Sequence, residues 1–265
     1  MITLFCDLDN TIVYSHRRTL NTAKSVAEML NGATQSYMTE KTFEFLSGCR
    51  NISFIPVTTR TFSQYKRLQS TMESLNCEYA LILNGAVLLK NGAIDKEWLA
   101  ESKELVKGSN DEIEKAAELI KSTEKMILRY CDEFLVYAGS SNPEESAKHL
   151  ERIIDISKVH VLFDSRKVYC IPTLLDKGYA VKRLVKRLMP ELTIAVGDSE
   201  NDVPMLESVE IPIVPQQLEM KVTNDKKIVV PETEILSDAA CCEIEKILLR
   251  TIRQGNLCNI ESIYG

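Results

Sequence analysis

At 265 residues the chain can bury a full core as one large domain or two modest ones, and its formal net charge of −6 argues against a general binder of nucleic acid or anionic membranes. No apolar stretch approaches the ~20 residues of a membrane span, and the first residues read as a strand rather than a charged leader, so the cytoplasm is the expected location. The eight cysteines (6, 49, 77, 131, 170, 241, 242 and 258) form no CxxC pair and no disulfide framework; most read as small buried apolar residues in a reducing compartment.

The apolar run 2–6 predicts a first strand that ends in Asp7 and Asp9, two carboxylates on one side of an extended backbone, with Thr11 to brace the turn. Residues 26–38 read as a small hairpin about Asn31-Gly32, a pair suited to a type I′ turn. Thr39, followed by Glu40, Phe43 and Leu46, marks the N-cap of a helix reaching about Cys49. A buried strand over 52–57, a helix over 63–75 and a strand over 79–83 follow. From about Gly85 the texture changes to an Asn91-Gly92 turn, charged helices across 97–123, strands at 126–131 and 133–138, a helix from Pro143, and strands at 159–164 and 167–171. That pattern predicts a separate α+β unit with antiparallel hairpins. The α/β alternation resumes at 172–177, with a helix over 178–189, a strand over 192–196, a strand over 211–214 and a closing helix over 237–252. The stretch near Asn256 to Gly265 carries too little pattern to assign.

Four motifs punctuate this order: Asp7-Leu8-Asp9-Asn10-Thr11; Val57-Thr58-Thr59-Arg60; Asp176-Lys177-Gly178; and Gly197-Asp198-Ser199-Glu200-Asn201-Asp202. In them the chain resembles phosphatases of the haloacid dehalogenase superfamily, within the Cof-like group that carries a large cap. The resemblance implies an α/β fold: a Rossmann-like parallel-sheet core, discontinuous over 1–84 and 172–265, with an α+β cap inserted at 85–171. It also implies that the hairpin at 26–38 is a flap over the active site. Thr59 departs from a usual Gly, and Asn10 occupies a position that the family leaves free.

A carboxylate held in line with a leaving oxygen is a competent nucleophile toward phosphorus, and Asp7 is expected in that role. Asp9 would protonate the leaving alkoxide and then activate water. Thr58 would donate to a phosphoryl oxygen, and Lys177 would balance the charge of Asp7 and the transferring group. Aspartates facing a phosphate dianion need a counter-ion; Mg2+ suits the oxygen ligands Asp7 and Asp198, with a backbone carbonyl that the family places at Asp9. Asp202 and Asn201 are expected to orient metal waters or Lys177, although Asp202 reads equally as a helix-start residue favoured by the dipole.

Thr58, Thr59, Arg60, Asn84, Gly85 and Asn201 are the expected substrate-binding residues. His16, Arg17 and Arg18 follow the catalytic loop and read equally as an exposed basic turn, and His149 lies on a charged, solvated helix. Within the cap, Arg129, Tyr130, Tyr137, His160 and Arg166 are candidate contacts without a motif. The expected activity is magnesium-dependent hydrolysis of a small phosphorylated metabolite, a sugar phosphate by resemblance, through an aspartyl-phosphate, by a monomer or homodimer without nucleic-acid or membrane partners. A phosphosugar mutase with the same nucleophile and a non-catalytic ligand-binding module are the alternatives.

Overall fold

In the computed structural model, which describes residues 1–123, 128–131, 134–163 and 166–253, the chain opens with β1 (Ile2–Cys6), buried at all five positions. A parallel strand covered on both faces requires such a run. The strands β2 (Tyr14–Ser15), β3 (Lys24–Leu30) and β4 (Ala33–Thr39) form a small antiparallel sheet in the order β2-β4-β3. Asn31 (φ 52) and Gly32 (φ 77) close its hairpin, both in the left-handed region that a type I′ turn demands. Thr39 then caps α1 (Glu40–Gly48), its side chain accepting from the Thr42 amide. After β5 (Ile52–Pro56), the single helix expected over 63–75 is two: α2 (Phe62–Lys66), with a Thr61–Gln64 capping box, and α3 (Gln69–Ser74). The break lets Leu68 enter the core while Arg67 turns to Glu28 of β3, 2.8 Å away.

The strands β6 (Tyr79–Ile82), β7 (Val87–Lys90) and β8 (Ala93–Ile94) make an antiparallel sheet, followed by α4 (Lys96–Val106) and α5 (Asn110–Lys121). Next come β9 (Leu128–Cys131), β10 (Leu135–Gly139), α6 (Pro143–Glu151), β11 (Val159–Phe163) and β12 (Lys167–Pro172), whose strands pair antiparallel in the order β11-β12-β10-β9. The chain returns through α7 (Lys177–Leu188), β13 (Leu192–Val196), α8 (Val203–Leu206), β14 (Ile211–Pro215), β15 (Ile228–Val230) and α9 (Leu236–Arg253). The parallel central sheet runs β15-β14-β13-β1-β5. Its three-residue edge strand β15 was not expected from the sequence, being too short for a periodic signal. Residues 256–265, which carry no sequence assignment, lie outside the described residues.

Packing moves the expected boundary of the insert. Trp98 of α4 is fully buried beside Ala180, Val181 and Leu184 of α7, donates its indole N–H to the Gly85 carbonyl at 2.9 Å, and lies 3.7 Å beneath the Arg183 guanidinium. The segment from β7 to α4, placed in the insert by its change of texture, therefore packs with the parallel-sheet core. A separate apolar cluster joins α5, α6 and the four-stranded sheet, with Ile113, Ile120, Val136, Val159 and Cys170 among its members. The crossing segments lie side by side at Lys158, whose carbonyl accepts from Ser109 Oγ at 3.0 Å and from the Thr173 amide at 2.9 Å.

Candidate active site

Two central strands deliver acids to the same edge of the sheet because β1 and β13 pair in register, Cys6 opposite Val196. The Asp7 amide continues that pairing to the Val196 carbonyl at 3.0 Å, so Asp7 and the loop after Val196 leave the sheet together. That loop folds back on Asp202, whose Oδ2 accepts from the Asp198 and Ser199 amides and the Ser199 hydroxyl at 3.1, 2.9 and 2.9 Å. The return is so close that a Cβ on Gly197 would come within 2.4 Å of Asp202 Cβ, which explains the glycine there.

Lys177, the first residue of α7, is 2% exposed and bridges Asp7 Oδ1 at 2.5 Å and Asp202 Oδ1 at 2.6 Å. Asp176 makes this possible by capping α7: its carboxylate accepts the Tyr179 amide at 2.8 Å, so the helix starts with Lys177 aimed at the sheet edge. The Thr11 hydroxyl stands between Asp198 Oδ1 at 3.0 Å and Asp7 Oδ2 at 3.3 Å. Asn10 adopts φ 63, a left-handed position that Asn tolerates, whereas Thr59, where the family usually has Gly, is not in that region.

The electrostatics of this cluster are unbalanced. Burial opposes the charge on Lys177, yet Asp202 and Asp7 outweigh it and hold the ammonium above the ordinary lysine range. Burial pushes the Asp7 carboxyl well up; Lys177 pulls it down, while Asp202, Asp198 and Asp9 push it further up. Asp198 is pushed up to about 6, first by burial and then by Asp202, against the Thr11 hydrogen bond. Among the described residues, Asp7, Asp198 and Asp202 have ligand oxygens within 4.8 Å of one another, an oxygen-only set that fits a hard divalent cation. Asp202 is fully buried and holds Lys177 and the loop, while Asp7 and Asp198 are the members of this set that line the cavity. The Asp9 side chain is not in this group, because Arg60 grips it: Nε donates to Oδ2 at 2.8 Å and Nη2 to Oδ1 at 2.7 Å.

A cavity of about 480 Å³ lies over these groups. Asp7, Asp9, Lys177 and Asp198 line its floor, and Thr59, Arg60 and Asn201 contribute to its walls. The remaining expected substrate residues are placed otherwise. Thr58 is buried beside the site, its hydroxyl accepting from the Arg60 amide at 3.2 Å. Asn84 and Gly85 stand outside the lining. The Asn84 amide group donates to the Leu175 carbonyl at 2.5 Å, and a Cβ on Gly85 (φ +91) would fall 2.2 Å from Ala180 Cβ. Their motif joins the core loop to α7, a packing role that short sequence patterns do not separate from binding.

From above, Leu135, Tyr137, Phe163, Lys167 and Tyr169 close the cavity. Tyr137 and Tyr169 pair across β10 and β12 with ring centroids 5.6 Å apart, and Lys167 Nζ lies 5.2 and 6.0 Å from the two centroids. Of the candidate cap contacts only Tyr137 lines the cavity; Arg129, its cross-strand partner on β9, and Tyr130, His160 and Arg166 are exposed and do not line it. Strand alternation could have found Tyr169, which sits opposite Tyr137, had the register been known. His16, Arg17 and Arg18 remain an exposed turn, with Arg18 stacked 4.9 Å from the Tyr14 ring. His149 is exposed on α6.

The family of haloacid dehalogenase-like hydrolases matches residues 63–234, more than half of the chain, and the protein belongs to that family. Its Rossmann-like core and added antiparallel unit fit the Cof-like group. A curated relative, the glucosyl-3-phosphoglycerate/mannosyl-3-phosphoglycerate phosphatase of Persephonella marina, is 38% identical over 77 residues, 27% of this chain. The match spans only 28% of that relative's length. The sucrose-phosphatase of Synechocystis sp. PCC6803, solved with sucrose and phosphate, shares the fold with TM-score 0.59 and 16% identity over 92% of this chain and 97% of its own. A sugar phosphatase of haloacid dehalogenase subclass IIB superposes with TM-score 0.61 and 15% identity over 94% of this chain and 100% of its own. Among the described residues no helix is long and apolar enough to cross a membrane.

Proposed function

We propose that the protein is a magnesium-dependent phosphomonoester hydrolase acting on a small phosphorylated metabolite of the sugar-phosphate class through an aspartyl-phosphate. The observation that carries this reading is the Asp7–Lys177–Asp202 bridge at the foot of the cavity, with Asp198 and Thr11 completing one face. Lys177 fixes one Asp7 oxygen, and a phosphomonoester entering from the cavity meets the carboxylate. Asp7 attacks phosphorus and the ester oxygen departs with a proton from Asp9. Water then gives its proton to Asp9 and attacks phosphorus, releasing inorganic phosphate and restoring the Asp7 carboxylate. A Mg2+ held by Asp7 and Asp198 would offset the phosphoryl charge that Lys177 alone does not balance. Lys177, which lines the cavity floor, supplies a donor beside that group.

The unit from α5 to β12 acts in this reading as the cap, contributing Tyr137, Lys167 and Tyr169 to the leaving-group side. Aromatic faces suit a sugar ring, and the partial match to the Persephonella phosphatase supports a glycosylated or sugar-derived leaving group. The protein would work in the cytoplasm, as a monomer or homodimer. The test is a phosphate-release screen over sugar phosphates, nucleotides, polyol phosphates and pyridoxal phosphate. Turnover should be abolished by chelator, restored by Mg2+ and absent in Asp7→Asn. Substantial turnover by Asp7→Asn, or full activity without metal, would refute the mechanism.

A further inference from the structure

Strand β3 does not alternate as a half-covered strand does, since Ala27 and Glu28 are buried in succession. Its apolar Val26, Met29 and Leu30 are exposed at 49%, 49% and 37%, while Glu28 is 4% exposed. The cause is local: the β3–β4 register shifts on both sides of Glu28, between Val26 and Glu28 and again between Glu28 and Met29. Such irregularities re-aim a side chain. Burying a carboxylate in this way is unfavourable unless charged partners await it. They do. Glu28 Oε2 accepts from Arg60 Nη2 at 3.0 Å and Ser36 Oγ at 3.1 Å, while Oε1 faces Arg67 Nε at 2.8 Å.

Arg60 joins this buried group to the reaction centre. Its Nη2 is shared between Glu28 and Asp9, its Nε donates to Asp9, and its Nη1 lies 3.5 Å from the Gln64 carbonyl. Each guanidinium nitrogen thus has a protein partner, so in this conformation Arg60 is committed to two carboxylates and does not reach out as a substrate clamp. Its charge is held above the ordinary arginine range by Asp9 and Glu28 in spite of burial. The side chain of Asp9 is half exposed, at 51%, and none of the other described hydrogen bonds fixes it.

We propose that Glu28 is a positioning residue for Asp9, acting through Arg60. The flap carboxylate sets the plane of the guanidinium, and the guanidinium presents both Asp9 oxygens toward the cavity. The sequence offers no motif for Glu28, and its role depends on the register shift that turns it inward. The relay rests on the hydrolase reading for its effect on turnover, because Asp9 is the group that must meet the ester oxygen. Its geometry stands independently of that reading.

The test pairs two esters and a structure. Glu28→Gln removes the charge that pairs with Arg60 and Arg67 and keeps one acceptor oxygen, so Arg60 loses its fixed plane. For an alkyl monoester such as a sugar 6-phosphate, whose leaving oxygen needs a proton, kcat should fall about 10- to 100-fold. For 4-nitrophenyl phosphate, a good leaving group, the pre-steady-state burst of 4-nitrophenolate should change in rate by less than about threefold, because the water step that Asp9 also serves comes after the burst. Arg60→Lys keeps the charge but cannot bridge two carboxylates in one plane, and should lower turnover of the alkyl ester at least as far. A loss in that burst as large as the loss on the alkyl ester would reveal only structural support and overturn the relay, as would no loss on either ester. A crystal structure of Glu28→Gln decides the geometry without turnover: a displaced Asp9 carboxylate supports the relay, and an intact Asp9–Arg60 fork overturns it. Absence of wild-type activity on any ester would remove the hydrolase reading, leaving that structural result to judge the relay.

Discussion

Replacing Lys177 with Met should destabilise the fold through one named event: it leaves Asp7 and Asp202 buried with no ammonium between them. Lys177 is 2% exposed, its Nζ is 2.5 and 2.6 Å from the two carboxylates, and Met fills a similar volume. Breaking a buried ion pair by removing one partner costs about 3–5 kcal/mol, and the lower end applies because a stranded carboxyl can take up a proton. At about 2–4 °C per kcal/mol for a chain of this size, the melting temperature should drop by about 6–12 °C, read by calorimetry or near-ultraviolet circular dichroism in chelator. The pH dependence gives the diagnostic sign. Asp7 already lies above its ordinary value through burial, with Lys177 pulling it down, so loss of Lys177 raises it further. A carboxyl whose folded value exceeds its unfolded value favours the folded state at low pH, and that contribution disappears as pH rises through the folded value. The deficit should therefore be smaller near pH ~5 than near pH ~8. Mg2+ should recover part of it. A loss under about 1 kcal/mol, or one independent of pH, would refute the charge-balance account.

Asp198 is pushed up to about 6 from 3.8, so in metal-free protein its contribution to stability is present below 3.8 and lost as pH rises through about 6. Relative to wild type, Asp198→Asn should flatten that slope in melting experiments, and wild-type Mg2+ affinity should weaken by about tenfold per pH unit below about 6; identical slopes would contradict the assignment. Tyr137→Ala, Tyr169→Ala and Lys167→Met should reorder kcat/KM among sugar phosphates by about 10-fold while altering 4-nitrophenyl phosphate turnover less, because they touch only the leaving-group side. A uniform effect across all esters would place specificity elsewhere. Gly85→Ala forces a Cβ to 2.2 Å from Ala180 Cβ at φ +91 and should cost about 2–4 kcal/mol in urea unfolding, with KM of the folded fraction unchanged. A large KM rise instead would return Gly85 to the substrate site.

Much of this protein could be read along the chain because the information was local. The two carboxylates after a buried strand, the Thr39 cap, the Asn31-Gly32 turn and the acids after Val196 each depend on residues within a few positions of one another. Their order carries the family resemblance, and the resemblance implied the parallel-sheet core, the inserted unit and a site shared by Asp7, Lys177 and Asp198. What the tertiary structure decided depended on register and on packing between distant segments. Trp98 belongs to the core because its indole reaches the Gly85 carbonyl and Arg183 covers its ring. Tyr169 joins Tyr137 at the cavity because β12 pairs with β10 in one particular register, which sets the two residues opposite each other. Glu28 is buried beside Ala27 because local register shifts between β3 and β4 interrupt the alternation of the strand. Side-chain type is written residue by residue, but the direction in which a strand points it is set by hydrogen bonds to a neighbour elsewhere in the chain.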